Sequence, residues 1–203
     1  MNESPTLTTI VDDYGDLCFP ILIRGSKIIV FRISEDDTAH TFGGELSSNI
    51  RIPLNAVIHN LATLDTTSCE GLADVEAKQL HLIYAFRHDG DGVNYKVKGE
   101  SIEVTSISPD QPDEDWPYED YPDVFPRRFL EVWGIIDADQ DAIDGLLHQE
   151  VDMSGSDLLI AVFPPSESYG VSLWGEYGDP EMVQCIFEYN LKKGEVNTYN
   201  LCG

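Results

Sequence analysis

Five of the chain's 11 prolines fall between residues 109 and 126, and they limit the backbone conformations open to this segment. Proline has no amide hydrogen to donate, so neither a helix nor a central strand fits here. This segment, the acidic loop, also contains Trp116, Tyr118, Tyr121 and Phe125. Leaving their apolar surface in water is unfavourable. We therefore predict an extended loop that its aromatic side chains hold against the body of the protein, with its carboxylates facing water.

Negative charge is concentrated in the second half of the chain. The net charge is −25, and residues 99–203 carry −19 of it. Residues 129–191 contain no Lys or Arg. A field of one sign repels nucleic acids and anionic membranes, and it attracts basic proteins and cations. The composition therefore predicts a basic protein partner, and it predicts binding to neither nucleic acid nor membrane.

The composition also predicts a folded chain, because hydrophobic residues make up 42% of it and supply an ample core. No stretch is long and apolar enough to span a bilayer. The first 16 residues have neither the basic nor the apolar region of a signal peptide. We therefore expect a cytoplasmic location. The four cysteines form no CxxC pair, which favours free thiols, and we predict no cofactor.

Runs of β-branched and alternating apolar residues predict strands along most of the chain. Residues 17–23 and 27–33 are predicted to form a hairpin around the turn 24–26. Further strands are predicted at residues 80–86, 93–97, 102–107, 129–136, 158–163, 171–174, 182–189 and 196–201. The first three of these are predicted to form a meander, with its first turn at residues 88–92. Apolar residues at helical spacing predict short helices at 54–64, 71–78 and 138–149.

These elements together predict an α+β fold, predominantly antiparallel β-sheet with two or three short helices. The whole chain, residues 1–203, is predicted to form a single domain. If it divides, the two parts are 1–108 and 127–203, and the acidic loop joins them. A Pro-rich segment between two regular regions is the natural place for such a boundary.

The acidic loop is the predicted partner-binding site. Trp and Tyr anchor interfaces because they bury apolar area while keeping a polar group, and carboxylates around them steer a basic partner. The predicted contact residues are Asp113, Glu114, Asp115, Trp116, Tyr118, Glu119, Asp120 and Tyr121. The alternative is a solvated loop whose aromatic residues only cap the core.

Asp137, Asp139 and Asp141 are candidate metal ligands, because carboxylates at alternate positions begin a calcium-binding loop. The rest of that pattern is missing. Ala142 stands where a glycine is needed, and His148 stands where a bidentate glutamate closes the shell. The alternative is that one of the three aspartates caps the helix that follows.

No catalytic signature is present in the sequence. There is no nucleophile elbow, zinc-binding helix motif or phosphate-binding glycine loop, and the five histidines share no metal-ligand spacing. The sequence therefore favours a non-catalytic acidic binding or inhibitor protein, for example an immunity protein that neutralises a basic toxin or nuclease. The alternative is a carboxylate- or divalent-metal-dependent enzyme. The oligomeric state stays open.

Overall fold

A single β-sheet dominates the structure. The computed structural model describes residues 5–12, 20–47, 49–53, 56–73, 75–88, 92–108, 110–113, 116–147, 150, 156–162, 169–173 and 183–202. The strands are β1 (Ile21–Arg24), β2 (Lys27–Ser34), β3 (His40–Phe42), β4 (Ile50–Arg51), β5 (His59–Asp65), β6 (Gln79–Tyr84), β7 (Gly92–Lys98), β8 (Ser101–Ser108), β9 (Arg128–Asp137), β10 (Leu158–Val162), β11 (Val183–Asn190) and β12 (Glu195–Cys202). The helices are α1 (Leu7–Asp12) and α2 (Gln140–Leu147).

The order of the strands across the sheet is β4-β8-β7-β12-β11-β10-β1-β2-β9-β3-β5-β6. The pair β4 and β8 is parallel, and the other neighbouring pairs are antiparallel. Groups of strands that precede the acidic loop alternate with groups that follow it, since β9 lies between β2 and β3, and β12, β11 and β10 lie between β7 and β1. The loop therefore links two strands of one sheet.

The predicted α+β class with two or three short helices is wrong, because the described residues form a large mixed sheet with very little helix. In this part of the chain α-helix is limited to six residues of α1 and eight of α2. Two single 3-10 turns, Glu70–Leu72 and Phe86–His88, add little. The apolar residues of one predicted helix, at 54–64, contribute to strand β5 instead.

The predicted helix at 54–64 is wrong over its described residues, which include most of β5. Residues 58–62 are all buried, because both faces of this strand are covered. A strand buried on both sides loses its alternation and becomes indistinguishable from a buried helix by periodicity. The predicted helix at 71–78 is also wrong over its described residues, whose one helical element is the end of the single turn Glu70–Leu72.

Four neighbouring strands, β11, β10, β1 and β2, place side chains in two separate cores. In β10, Leu158, Ile160 and Val162 belong to the inner core, on the face that the other strands enclose. Leu159 and Ala161 belong to the outer core, on the opposite face. Successive side chains of a strand point to opposite faces, so each central strand contributes to both cores.

The two helices cover the outer core. Ile10 of α1 packs there with Ile143, Leu146 and Leu147 of α2. The predicted helix at 138–149 is confirmed as α2, and so is the apolar side that its sequence indicated. Spacing of three and four residues places these side chains on one stripe of the helix, which must be buried against another element.

The sheet folds over the inner core, so that β6 at one end of the strand order meets β7 near the other. The Tyr95 hydroxyl of β7 donates to the carbonyl of His81 in β6 at 2.8 Å. This contact is made by a side chain. The predicted β6–β7 hairpin is wrong, because β6 pairs with β5 and β7 pairs with β8 and β12. Its predicted turn at 88–92 lies partly outside the described residues.

The other hairpins were predicted more accurately. The turn between β1 and β2, the pairing of β7 with β8, and the final hairpin of β11 and β12 are confirmed. Two details are wrong. Residues 171–173 form no strand, and β9, predicted to be buried, has Leu130 as its one fully buried residue. No helix among the described residues is long and apolar enough to span a membrane.

Truncation of one side chain in each core tests whether β10 is buried on both faces. We expect Leu159→Ala and Ile160→Ala each to lower the free energy of unfolding by about 2–5 kcal/mol, since both side chains are fully buried. Urea unfolding measures this. Asn197→Ala, at an exposed position of β12, is the control and should cost less than about 0.5 kcal/mol. A Leu159→Ala cost as small as that of the control would show that the helices do not cover this face.

Candidate functional site

The acidic loop connects β8 to β9 and displays its carboxylates to solvent. The side chains of Asp113, Glu119 and Asp120 are exposed, as the sequence predicts. Glu114 and Asp115 lie outside the described residues. The described carboxylates are therefore accessible to any basic molecule that approaches the loop.

The aromatic side chains of the loop point inward. Tyr121 and Phe125 are only 4% and 1% exposed, and Trp116 and Tyr118 pack partly buried against the inner core. The Tyr121 hydroxyl donates to the carbonyl of Leu173 at 3.2 Å, away from water. The prediction that aromatic residues hold the loop is confirmed. Tyr121 serves this anchoring, so its predicted contact with a partner would require the anchor to open.

His59 of β5 lies among these aromatic rings. Its ring stacks on Phe125 with a centroid separation of 4.8 Å, and it meets Phe86 and Tyr121 edge-on at 5.7 and 5.4 Å. The Nε2 atom lies 3.0 Å from the Pro122 carbonyl oxygen. A carbonyl oxygen accepts hydrogen bonds, so Nε2 carries the proton and donates. A buried imidazole thus ties β5 to the loop.

Burial lowers the pKa of His59 to about 4, against the opposing effects of the Pro122 carbonyl and the Asp123 carboxylate. Removing the ring from water disfavours its charged form. His59 is therefore neutral at pH 7. The nearby Arg87 guanidinium acts in the same direction as burial.

The Gly43-Gly44 pair receives the end of the acidic loop. The Gly44 amide donates to the Phe125 carbonyl at 2.9 Å, and the Tyr169 hydroxyl donates to the Pro126 carbonyl at 2.7 Å. Gly43 has a φ of +67°, and a Cβ there would collide with the Pro126 carbonyl. Glycine is needed at this position both for its backbone conformation and for the close approach of the loop.

Arg87 fastens the loop at two points. Its carbonyl accepts from the Asp113 amide at 2.7 Å, and its Nη1 lies 3.4 Å from the Tyr121 carbonyl. The same Nη1 pairs with Asp123 at 3.3 Å, but the Asp123 side chain is 80% exposed. An ion pair that solvent reaches so easily contributes little. The backbone contacts of Arg87 therefore matter more for the shape of the loop.

The three candidate calcium ligands lie where β9 ends and α2 begins, and all three are exposed. The Asp139 Oδ1 accepts from the Ala142 amide at 3.0 Å, which caps the N-terminus of α2. The structure thus assigns the capping role to Asp139 among the three aspartates. No group of three or more His, Cys, Asp or Glu within the described ranges is arranged to hold a metal ion.

The other described histidines take part in the hydrogen bonding of the fold. The His40 Nδ1 accepts from the Asp65 amide at 3.1 Å, and the His88 Nε2 accepts from the Val57 amide at 3.2 Å. His81 Nδ1 lies 3.1 Å from the Thr63 hydroxyl. Burial lowers the pKa of both His40 and His81. An amide can only donate, so these contacts require unprotonated nitrogens at His40 and His88.

Sequence reasoning missed the residues that receive the loop, namely His59, Arg87, Tyr169 and Gly43. The Gly-Gly pair was the one available signal, because two adjacent glycines indicate an unusual backbone conformation. His59 gave no signal, since it lies in a run whose periodicity indicated a helix. No protein-family model, curated protein or solved structure matches this chain. Any proposal about the function of this protein therefore rests on the residues of this chain alone.

Acid should destabilise the protein through His59. The unfolded-state pKa is 6.5 and the folded-state pKa is about 4, so the unfolded state binds more protons between these values and stability falls as pH falls. We expect His59 to remove on the order of 2–3 kcal/mol between pH 7.5 and pH 4.5.

Urea unfolding of the wild type and of His59→Phe over this pH range measures the effect. The variant keeps the aromatic packing, so at pH 7.5 it should lose only about 1 kcal/mol with the hydrogen bond to Pro122. The difference between the two proteins should shrink and then reverse as pH falls. Parallel pH profiles for the two proteins would contradict the assignment.

The role of Asp139 can be separated from metal binding by two substitutions. We expect Asp139→Ala to lower the free energy of unfolding by about 1 kcal/mol and Asp139→Ser to lower it by less than about 0.5 kcal/mol, because serine also caps helices. Calcium at 1 mM should leave the wild-type unfolding midpoint unchanged. Calcium-dependent stabilisation that both variants abolish would instead identify a cation ligand.

Proposed function

We propose that this protein is a non-catalytic binding protein that presents the acidic loop to a basic protein partner. The observation that carries the proposal is an anchored loop with exposed carboxylates. Buried rings and hydrogen bonds to Arg87, Gly44 and Tyr169 fix its backbone, while the described carboxylates point to water. A surface that is ordered before binding loses less conformational entropy when the partner arrives.

Electrostatics supports fast association with a basic partner. The two basic residues at the end of the loop are turned towards rings, with Arg127 4.9 Å from the Phe129 centroid and Arg128 5.9 Å from the Tyr169 centroid. A negative patch raises the rate at which a positive partner finds its orientation. Because little aromatic surface is exposed, we expect charge to govern this interface more than buried aromatic contacts do.

Within this proposal, the partner is a basic toxin or nuclease and the protein is its cytoplasmic inhibitor, as an immunity protein would be. An enzyme that binds nucleic acid carries a basic surface for phosphates, and an array of carboxylates offers that surface a substitute. If the partner is a nuclease, the protein should inhibit its nuclease activity, and this inhibition can be measured.

The alternative is a carboxylate- or divalent-metal-dependent enzyme. No observation on the described residues favours it. The carboxylate that resembled a calcium ligand caps a helix, and the histidines His40, His59 and His88 hydrogen-bond to backbone groups. These side chains therefore have structural partners that account for their positions.

Neutralising the carboxylates of the loop should slow binding. We expect the triple variant Asp113→Asn, Glu119→Gln, Asp120→Asn to reduce the association rate constant with the basic partner by about tenfold and to change the dissociation rate less. Partners retained from lysate at low salt and released at high salt supply the binding protein for stopped-flow measurements.

A control variant removes the same number of charges elsewhere. Asp137→Asn, Asp141→Asn, Glu150→Gln changes exposed carboxylates, of which Asp137 is at the far end of β9. This strand of 10 residues separates it from the loop by about 30 Å. The control should leave association nearly unchanged. Equal slowing by both variants, or the absence of any basic and salt-sensitive partner, would contradict the proposal.

A further inference from the structure

A cleft of about 530 Å³ lies at the end of the sheet away from the acidic loop. Four residues between 75 and 80 line it, together with Asp157 and residues at the turns β1–β2, β7–β8 and β11–β12. Three hairpin turns therefore meet around one depression. Its volume falls within the range of 300–1,000 Å³ typical of small-molecule sites.

Basic residues from distant parts of the chain meet at this cleft. Four of the 12 Lys and Arg residues line it, and the described lining contains two acids, Glu76 and Asp157. The basic residues come from three separate turns and are Arg24, Lys98, Lys192 and Lys193. Their convergence is a tertiary feature, because the sequence spreads them over 170 residues.

The negative field of the acidic loop hardly reaches this cleft. In the strand register, Arg24 lies opposite Lys27, and Lys27 lies opposite Asp137, the last residue of β9. The acidic loop, in contrast, leads into β9 at its first residue, Arg128. The length of β9 corresponds to about 30 Å. At physiological salt the screening length is about 8 Å, so the charges close to the cleft, and not those of the loop, set its potential.

The lysines of the cleft are available to a ligand. Lys192 is exposed and makes no ion pair with the described residues. Lys193 and Lys98 lie 3.9 and 3.2 Å from the carboxylates of Glu195 and Glu103. These pairs are solvent-exposed, and such pairs exchange partners at little cost in free energy.

Arg24 and Asp157 have better-defined roles. The Arg24 Nη1 donates to the Gly71 carbonyl at 2.8 Å, which orients a guanidinium that carries five N–H donors. The Asp157 Oδ2 accepts from the Leu191 amide at 2.9 Å. This carboxylate is thus engaged with the backbone of the β11–β12 turn, which it helps to hold in place.

Apolar side chains also line the cleft. They belong to Val75, Leu80, Val97 and Leu191, together with Tyr189. The Tyr189 hydroxyl points away into the inner core, where it lies 3.1 Å from the Tyr95 hydroxyl. A lining that combines apolar side chains with basic groups matches a ligand that has an apolar body and a charged group.

We propose that this cleft binds a small organic anion with an apolar body, its carboxylate or phosphate group held by the turn lysines and Arg24. Carboxylates and phosphates share the oxygen acceptors that guanidinium and ammonium groups recognise. The site is independent of the acidic loop, so either proposal can fail without the other.

Three probes separate the contributions of charge and apolar surface. The probe 2-naphthoate has an apolar body and a negative charge, 2-naphthol has the apolar body alone, and inorganic phosphate has the charge alone. All three are measured in 0.15 M salt. We expect 2-naphthoate to bind at least tenfold more tightly than either of the others. Amide chemical shifts in 15N-labelled protein locate the site, and the expected changes are at Gly99, Lys192 and Gly194.

Two variants test the two features of the site. Lys192→Gln with Lys193→Gln should weaken 2-naphthoate at least fivefold and leave 2-naphthol unchanged. Val75→Trp should narrow the cleft and weaken the binding of 2-naphthoate and 2-naphthol alike. The lysine pair is exposed in a turn, so that variant tests the proposal even if Val75→Trp does not fold.

The control variant, Arg51→Gln with Arg127→Gln, removes two exposed cations that do not line the cleft and should bind 2-naphthoate as the wild type does. Three results would overturn the proposal: shift changes that lie outside the cleft, 2-naphthoate binding no more tightly than 2-naphthol, or equal weakening by the control and the lysine variant. The unbound spectra of all variants show whether they are folded.

Discussion

The structure depends on the need to cover both faces of the central strands. The central strands β10, β1, β2 and β11 place apolar residues on both sides, so a sheet with one solvated face would expose one set of them. Two helices cover the outer core, and the sheet folds over the inner core until β6 meets β7. The hydrophobic effect acts here on a whole sheet and not on one amphipathic face.

The acidic loop takes its shape from the inner core. Phe125 and Tyr121 are buried with His59, and this burial turns the neighbouring carboxylates towards solvent. The anchoring of the aromatic residues and the exposure of the charges are therefore two results of one packing arrangement. At the other end of β9, hairpin turns bring four of the chain's 12 Lys and Arg residues together around a cleft.

Local patterns predicted local structure well. The β1–β2 and β11–β12 hairpins, the β7–β8 pair and helix α2 form where the sequence indicates, because turns and stripes involve residues close in the chain. Periodicity was wrong at β5, where burial on both faces removed alternation. It was also wrong about the pairing of β6, since a strand's neighbour depends on the whole sheet and not on the turn that follows it.

The sequence alone determined that residues 109–126 form a loop held by aromatic residues, because proline excludes regular structure and exposed rings are unfavourable. It also determined where the negative charge lies along the chain. Only the tertiary structure decided that His59 stacks on Phe125 and that Arg24 shares a cleft with Lys192. Such contacts join residues from distant strands, and no short-range pattern encodes which distant strands become neighbours.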